Sequence, residues 1–347
     1  MVSPHLAVAD PWERSVVLRF VVTCLHFTRA AVMRLRTSKR RVPVLEKLIR
    51  TALFLPLYIP AALILRGAAR LNISTTLPRS TQLGFAMMCR ITDMIGGYIW
   101  IFGEWEPDLT RFIASRLRDG DVFIDVGANV GYYSMLAARS VGGRGAVVAV
   151  EASPAMFDDL SANTQADALG DRVRLVNKAA AATSGTVTVF SGPSHNVGMS
   201  TTLPTRGLHA ESTVEAMPLD QILTIDEIAA TRIIKIDVEG AEPDVLAGMS
   251  NLIESLRPDA EIAIELSPQW WPNPDVEPID VLRPFISAGF NVYKMTNDYS
   301  PWRYLWPNDV KNPTRVHEDY LTKRVARLDL VLSRHNGDSL DIEAQHR

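Results

Sequence analysis

The segment Asp125-Val126-Gly127-Ala128-Asn129-Val130-Gly131 joins the end of a β-branched run to two glycines, just before a stretch that suits a helix. Glycines at such a junction let the backbone approach a ligand closely, at the switch point of an open α/β sheet. Twenty residues after Gly131, Val148-Ala149-Val150-Glu151 ends a second apolar run with a carboxylate, which suits the two hydroxyl donors of a ribose. A glycine turn alone is equally well explained by close packing of a buried junction. The turn together with the acid selects a ribose-bearing cofactor. A dinucleotide fingerprint, G-x-G-x-x-G, needs a glycine where this chain has Asn129, and Asp125 sits badly beside a diphosphate. The same acid suits a cofactor carrying an ammonium and a sulfonium. S-Adenosyl-L-methionine is therefore expected, with Asp125, Gly127, Asn129, Gly131 and Glu151 as its binding residues.

A second group of acids follows other apolar runs. Ile233-Ile234-Lys235-Ile236 leads into Asp237-Val238-Glu239, with Glu242 shortly after, and Glu261-Ile262-Ala263-Ile264 ends in Glu265. Carboxylates at the carboxyl edge of a sheet suit removal of a proton from an acceptor, worth typically 10²–10⁴-fold in rate. Several acids at one edge repel, so one of them is expected to hold a raised pKa or a cation. Asp237 and Glu239 are the catalytic candidates, against the plainer alternative of capping the following helix. His195, in the loop Ser194 to Ser200, is a third candidate, because histidine suits base work near neutral pH; Asn196 and Ser200 accompany it. A lone loop histidine is equally an exposed, idle one. Trp270, Trp271, Trp302 and Trp306 could stack an acceptor, or serve as core. No metal site is expected: two cysteines, Cys24 and Cys89, cannot build a cysteine-based cluster.

The elements that must position these residues alternate. Strands are expected at Asp121 to Val126, Ala146 to Val150, Val173 to Val176, Ile233 to Asp237 and Glu261 to Glu265. Helices are expected at Tyr132 to Arg139, Ala155 to Asn163 and Pro243 to Leu256, with Pro243 in a first turn where its missing N–H costs nothing. Such alternation implies a mainly parallel, doubly wound α/β sheet. Val292 to Met295 and Arg327 to Ser333 finish it at the far edge. Thr186 to Phe190 and Thr213 to Met217 break the alternation and read as an added β-hairpin, joined by the long loop Ser191 to Ser212.

At this point the sequence resembles the FkbM-type methyltransferases. The resemblance rests on DVGANVGYYS (Asp125 to Ser134), VVAVEASP (Val147 to Pro154) and above all IIKIDVEGAE (Ile233 to Glu242), in that order. It covers about residues 100–335, with FGEWEP (Phe102 to Pro107) and VEAMPLDQIL (Val214 to Leu223) as further parts. It implies a Rossmann-like class I methyltransferase topology and O-methylation of a hydroxyl, often on a sugar or polyketide. Residues 1–95 and the aromatic segment Trp302-Arg303-Tyr304-Leu305-Trp306 lie outside the pattern.

Composition bounds the rest. At 347 residues, 47% hydrophobic and 22% charged, the chain is globular, and average Gly and Pro content excludes collagen-like or disordered classes. The net charge of −3 is unevenly spread: residues 1–80 hold 13 Lys and Arg against Asp10, Glu13 and Glu46, a net of +10, which leaves −13 for the remainder. An acidic body argues against nucleic acid; a basic head points to an anionic surface. Residues 16–33 read as an amphipathic helix with a polar stripe of Arg19, Thr23, His26 and Arg29. Ala52 to Leu65 is uncharged, but its 14 residues, interrupted by Pro56 and Pro60, fall short of the roughly 20 that span a bilayer. The start does not read as a secretory signal, since acids precede its apolar part.

Three segments are expected: a basic helical region over 1–95, which binds an anionic membrane surface or packs on the body; a methyltransferase domain over 96–335; and a polar tail over 336–347. The expected function is a cytoplasmic S-adenosylmethionine-dependent O-methyltransferase at the inner face of the membrane, acting on a hydroxyl-bearing small molecule or glycolipid. The alternatives are a nucleotide-cofactor oxidoreductase, which Asn129 disfavours, and a non-catalytic membrane adaptor on a degenerate fold.

Overall fold

The computed structural model describes residues 16–342 apart from 72, 74, 168, 193–199, 205–207, 323 and 324, with backbone alone for 16–20. Two long helices come first, α1 (Val16–Leu35) and α2 (Val44–Arg70), then the hairpin β1 (Thr76–Ser80) and β2 (Ala86–Arg90). The helices α3 (Met94–Phe102) and α4 (Pro107–Arg116) lead into the alternating body. Its first half is β3 (Val122–Val126), α5 (Tyr132–Ser140), β4 (Ala146–Val150), α6 (Pro154–Gln165) and β5 (Val173–Val176). An insertion follows: β6 (Ala179–Ala180), β7 (Gly185–Ser191) and β8 (His209–Met217). The second half is α7 (Leu219–Ile222), α8 (Ile225–Ala230), β9 (Thr231–Ile236), α9 (Glu242–Ala247), β10 (Glu261–Leu266) and α10 (Pro278–Ser287). Then come β11 (Asn291–Lys294), β12 (Thr314–Arg315), α11 (Glu318–Leu321) and β13 (Leu328–Ser333).

The central sheet has eight strands in the order β12-β11-β13-β10-β9-β3-β4-β5. Strands β5, β4, β3, β9 and β10 run parallel, whereas β13 is antiparallel to both β10 and β11. The chain winds outward from β3 to β5, then returns to β9 on the other side of β3. That reversal places a ligand crevice at the carboxyl ends of β3 and β9. Each central strand is buried on both faces, as its unbroken apolar run predicts. Phe123, Val147 and Ile233 enter the core shared with α3, α4 and α5, while Ile124, Val148 and Ile234 enter the core shared with α9 and α10. The added hairpin is present as β7 and β8, which pair antiparallel, and β8 also takes β6 as a parallel partner to form a separate three-stranded sheet.

Three expectations change. The helix expected to run from Pro243 to Leu256 stops at Ala247. There the backbone at Gly248 is pressed against the insertion, and a Cβ on it would lie 2.0 Å from the Ala181 carbonyl oxygen. The apolar stretch with Pro56 and Pro60 is part of a continuous 27-residue helix, α2, about 40 Å long, so the prolines interrupt its hydrogen bonds and not its course. Third, the polar stripe of α1 does not face water as a whole: His26 meets the Trp100 ring edge-on at 5.0 Å, and the Arg29 guanidinium lies 4.9 Å from that ring's centre. Leu25 and Val32 of α1 and Phe54 and Ala61 of α2 join the body's core. Arg36 pairs with the fully buried Glu104, and Arg303 with the buried Asp108 at 2.8 Å. In the C-terminal segment, Leu340 and Ile342 are buried in the same core.

Candidate active site

The carboxyl edge of the sheet opens into a cavity of about 320 Å³, lined on one side by Gly127, Asn129, Glu151 and Ser153 and on the other by Asp237, Glu239 and Glu265. The glycine turn is built by close approach of two strands. Gly127 has φ +77° and donates to the Val150 carbonyl at 2.9 Å; a Cβ there would lie 1.9 Å from the Asp237 carbonyl oxygen. No other residue fits. Asn129 adopts a left-handed φ of +53°, and its side-chain oxygen accepts from the Val130 N–H at 2.8 Å. That local bond is what lets asparagine stand where a glycine would otherwise be needed. Its own N–H donates to Glu151 Oε2 at 2.7 Å, and the Ser153 N–H donates to Oε1 at 2.8 Å.

Glu151 is thus held in place by two backbone donors with further lone pairs on each oxygen, ready for hydroxyl donors. Burial pushes its carboxyl up to about 7, against the opposing pull of those two N–H groups. Gly131 does not line the cavity; it starts α5 at φ +89°, where a Cβ would press on Leu160 at 2.7 Å. Asp125 lies beneath the floor, fully buried, accepting from Ser134 Oγ at 2.6 Å. Its other oxygen lies 3.7 Å from Lys235 Nζ. Burial raises its pKa, against the opposing pull of Lys235 and Ser134.

Lys235 is the candidate site residue that the pattern of acids did not reveal. On a strand read only for its apolar partners, its side chain is buried and its ammonium lies 3.3 Å from Asp237 Oδ2 and 3.4 Å from the Gly127 carbonyl. Despite burial, the carboxylates of Asp237, Asp125 and Glu106 push its pKa up, so it stays charged. The signal was present in the sequence: a lone lysine inside an otherwise apolar central strand has to be paired.

The acids outnumber the cations. Glu106, in the FGEWEP turn at φ +40°, is buried and accepts from the hydroxyls of Tyr133 and Tyr299 and from Asn297 Nδ2 at 2.9 Å. Tyr299 also lies 3.0 Å from Glu265 Oε2. A phenol donates only one hydrogen bond, so with carboxyls on both sides one of the acids must hold a proton and donate to the tyrosine. Burial and the nearby Asp237 and Asp329 charges push Glu265 up to about 10; burial also raises Glu106. Asp329, beside Arg327 at 3.2 Å, rises to about 6, chiefly by burial. Of the edge acids, Glu265 is thus the one pushed furthest up, while Asp237 lies beside the Lys235 ammonium.

Asp237 ends β9 directly beside the glycine turn, its N–H donating to the Val126 carbonyl at 3.0 Å and its carboxylate facing the cavity. The N-cap of α9 is Ala241, which supplies no side-chain cap, so neither Asp237 nor Glu239 stands at the N-cap position. Glu239 sits at φ +53° with its carbonyl accepting from Thr201 Oγ1 at 3.0 Å. Glu242 is structural. It is buried, pushed up to about 7 by burial, and accepts from the Gly240 N–H at 2.6 Å and the Trp271 indole at 2.8 Å. His195 and Asn196 lie outside the described residues, whereas Ser200, Thr201 and Thr202 from the same loop line the cavity. Of the tryptophans, Trp270 and Trp105 line it, Trp271 anchors Glu242 and Trp306 is core. Among the described residues, no cluster of three or more His, Cys, Asp or Glu could hold a metal ion.

The fold and site define a class: a doubly wound sheet with an antiparallel strand inserted at one edge, and a glycine turn and ribose-type acid at its switch point. Residues 125–292 match the methyltransferase FkbM domain, an S-adenosylmethionine-dependent methyltransferase domain. A hexuronic acid methyltransferase, AglP, of Haloferax volcanii is 27% identical over 156 residues, which cover 44% of this chain and 59% of that protein. The chain thus matches little more than half the length of that relative. Among solved structures, TYW2 of M. jannaschii in complex with AdoMet overlays with a TM-score of 0.38 and 12% identity, covering 74% of this chain and 84% of that one. A SAM-dependent O-methyltransferase of Thermotoga maritima gives 0.34 and 17%, covering 75% and 78%. These overlays are loose, and the class rests on the strand order and the family match.

The residues present fit this cofactor. Glu151 offers free lone pairs toward a ribose, the Gly127 turn leaves no side chain between backbone and ligand, and the surplus of buried acids suits a group that is cationic at sulfur and nitrogen.

Proposed function

We propose that the protein is an S-adenosylmethionine-dependent O-methyltransferase acting on a sugar hydroxyl, carried by a glycolipid or a secondary metabolite. The observation that carries this reading is the meeting of Glu151 with Asp237 in one cavity, on either side of the Gly127 turn. The family match supports methyl transfer, and the hexuronic acid relative supports a sugar as the acceptor. S-Adenosylmethionine, when bound, supplies an electrophilic methyl group on a sulfonium. Gly127, Asn129 and Glu151 hold it, with Asp125 below. Asp237 orients the acceptor hydroxyl and takes its proton as the oxygen becomes nucleophilic. Glu265, with its carboxyl pushed to about 10, stays protonated at neutral pH and serves as a donor. Lys235 holds the Asp237 carboxylate in register. Trp105, Trp270 and Tyr299 supply aromatic faces against which a sugar ring can lie.

Calorimetry of the purified chain with S-adenosylmethionine, its demethylated product and NAD tests the cofactor, and the first two alone should bind. Incubation with a panel of glycosides, read by mass spectrometry, tests the acceptor. A single methyl added to a sugar oxygen is expected; binding of NAD alone, or methylation only of non-sugar acceptors, overturns the reading.

A further inference from the structure

Helix α2 turns its apolar side outward. Val44, Leu45, Leu48, Ile49, Leu53, Ile59, Leu63 and Ile64 are between 47% and 75% exposed. Together with the exposed Ala52, Pro56 and Pro60 they follow the helical repeat as one stripe without a charge from Val44 to Ile64, about 30 Å long. The charged residues near the start of α2 point the other way: Lys47 pairs with Asp309, and Arg50 with Glu46 at 2.6 Å. This reverses the usual partition of a surface helix, and a continuous exposed apolar patch marks a contact.

Charge chooses the occupant. Exposed bases stand at both ends of the stripe, Arg40 and Arg41 before it and Arg66 and Arg70 after it. A second copy of the same helix, packed either way round, would bring like charges together. An anionic lipid surface pairs with both ends at once. The helix is long and apolar enough to cross a bilayer, but its other face is engaged by the body: Phe54 is fully buried against Phe102, and Lys47 lies over the Trp306 ring at 5.5 Å and pairs with Asp309. Pro56 and Pro60 also deprive the carbonyls of Ala52 and Pro56 of their helical N–H partners on the outward stripe. The hydrocarbon core would penalise these carbonyls, and the hydrated interface satisfies them.

We propose that α2 lies flat in one leaflet of an anionic membrane, its stripe among the acyl chains and its flanking arginines on the headgroups. The cavity is near. From α2, Tyr58 stacks on Phe102, which meets Tyr98 at 5.6 Å, and Tyr98 meets Trp105 of the cavity wall at 5.7 Å. A lipid-borne acceptor would then approach along the interface, a consequence that rests on the proposed function, whereas the docking itself does not.

The test is sedimentation of the full chain with phosphatidylcholine vesicles, with and without about 30% phosphatidylglycerol. Binding to the anionic vesicles is expected, weakened by high salt. The triple substitution Leu48→Glu, Leu53→Glu and Leu63→Glu should lower partitioning roughly 100-fold or more. Ile225→Glu, at an exposed apolar position on α8, should leave it unchanged. Arg66→Glu with Arg70→Glu, which leaves the stripe untouched, should weaken binding and flatten its salt dependence, and it carries the test if the triple variant fails to fold. The calorimetric response to S-adenosylmethionine, read in parallel, separates loss of docking from loss of the cofactor site. Equal binding by wild type and the charge-reversed variant, equal binding to neutral vesicles, a dimer in place of vesicle binding, or retention through an alkaline carbonate wash overturns the proposal.

Discussion

The cavity and the outward face of α2 are opposite departures from the same rule. A folded chain ordinarily hides apolar side chains and leaves charges in water. At the sheet edge Asp125, Glu106 and Lys235 are buried charges held by one another and by tyrosines. Along α2 eight large apolar side chains stand in solvent while Lys47 near its start pairs with Asp309 of the body. Burying charge is costly unless it is paired, and exposing apolar area forgoes about 25 cal/mol per Å². Each departure is accounted for by a proposed ligand: a cationic, hydroxyl-bearing cofactor in the one case, an apolar and anionic surface in the other.

The comparison breaks most sharply at Asp237. Asp237→Asn keeps the shape and removes the charge, and should cut turnover roughly 10²–10⁴-fold while S-adenosylmethionine affinity changes little. Glu239→Gln is its control and should lose much less. A larger rate loss in Glu239→Gln moves the base to that residue.

Next is Lys235. Lys235→Met leaves Asp125 and Asp237 facing each other without their cation, and should destabilise the fold by about 3–5 kcal/mol, read by denaturant unfolding. An effect as small as that of Arg144→Ala would show that the buried acids shed their charge without cost.

Glu151 gives a smaller effect with a pH signature. Glu151→Ala should weaken S-adenosylmethionine by about 1.5–3 kcal/mol. In the folded protein its carboxyl is raised from 4.5 to about 7. Its contribution to stability is therefore fully present below pH 4.5 and lost as pH rises through 7. Ribose hydroxyls and a cationic cofactor favour the ionised form, so binding should release a proton near pH 6.5 and weaken as pH falls below about 7. Calorimetry in buffers of different ionisation enthalpy measures that proton, and Glu151→Gln should abolish its release. The smallest effect belongs to the surface: Arg144→Ala breaks an exposed pair with Asp119 and should cost no more than about 0.5 kcal/mol.

The sequence by itself determined the alternating body, the glycine turn with the acid that ends the next strand, and the match to the FkbM domain, because each is encoded over a few neighbouring residues. Asp125 to Gly131 carries its own backbone demands, and uninterrupted apolar strands announce burial on both faces. What the local pattern missed was set by contacts distant in the chain. Glu106 and Tyr299 meet across 193 positions, so no spacing rule could join them to Glu265. Lys235 looked like one polar letter in a strand until β3 and β9 placed it between two acids. For α2, the uncharged run from Ala52 to Leu65, interrupted by two prolines, suggested a segment too short to span a bilayer. Only the tertiary structure decided that the helix continues through both prolines, which of its faces turns inward, and that the apolar one is left exposed. Local sequence fixes conformation through steric and hydrogen-bonding rules that act within a few residues; which charges are paired and which face is covered depends on the whole fold.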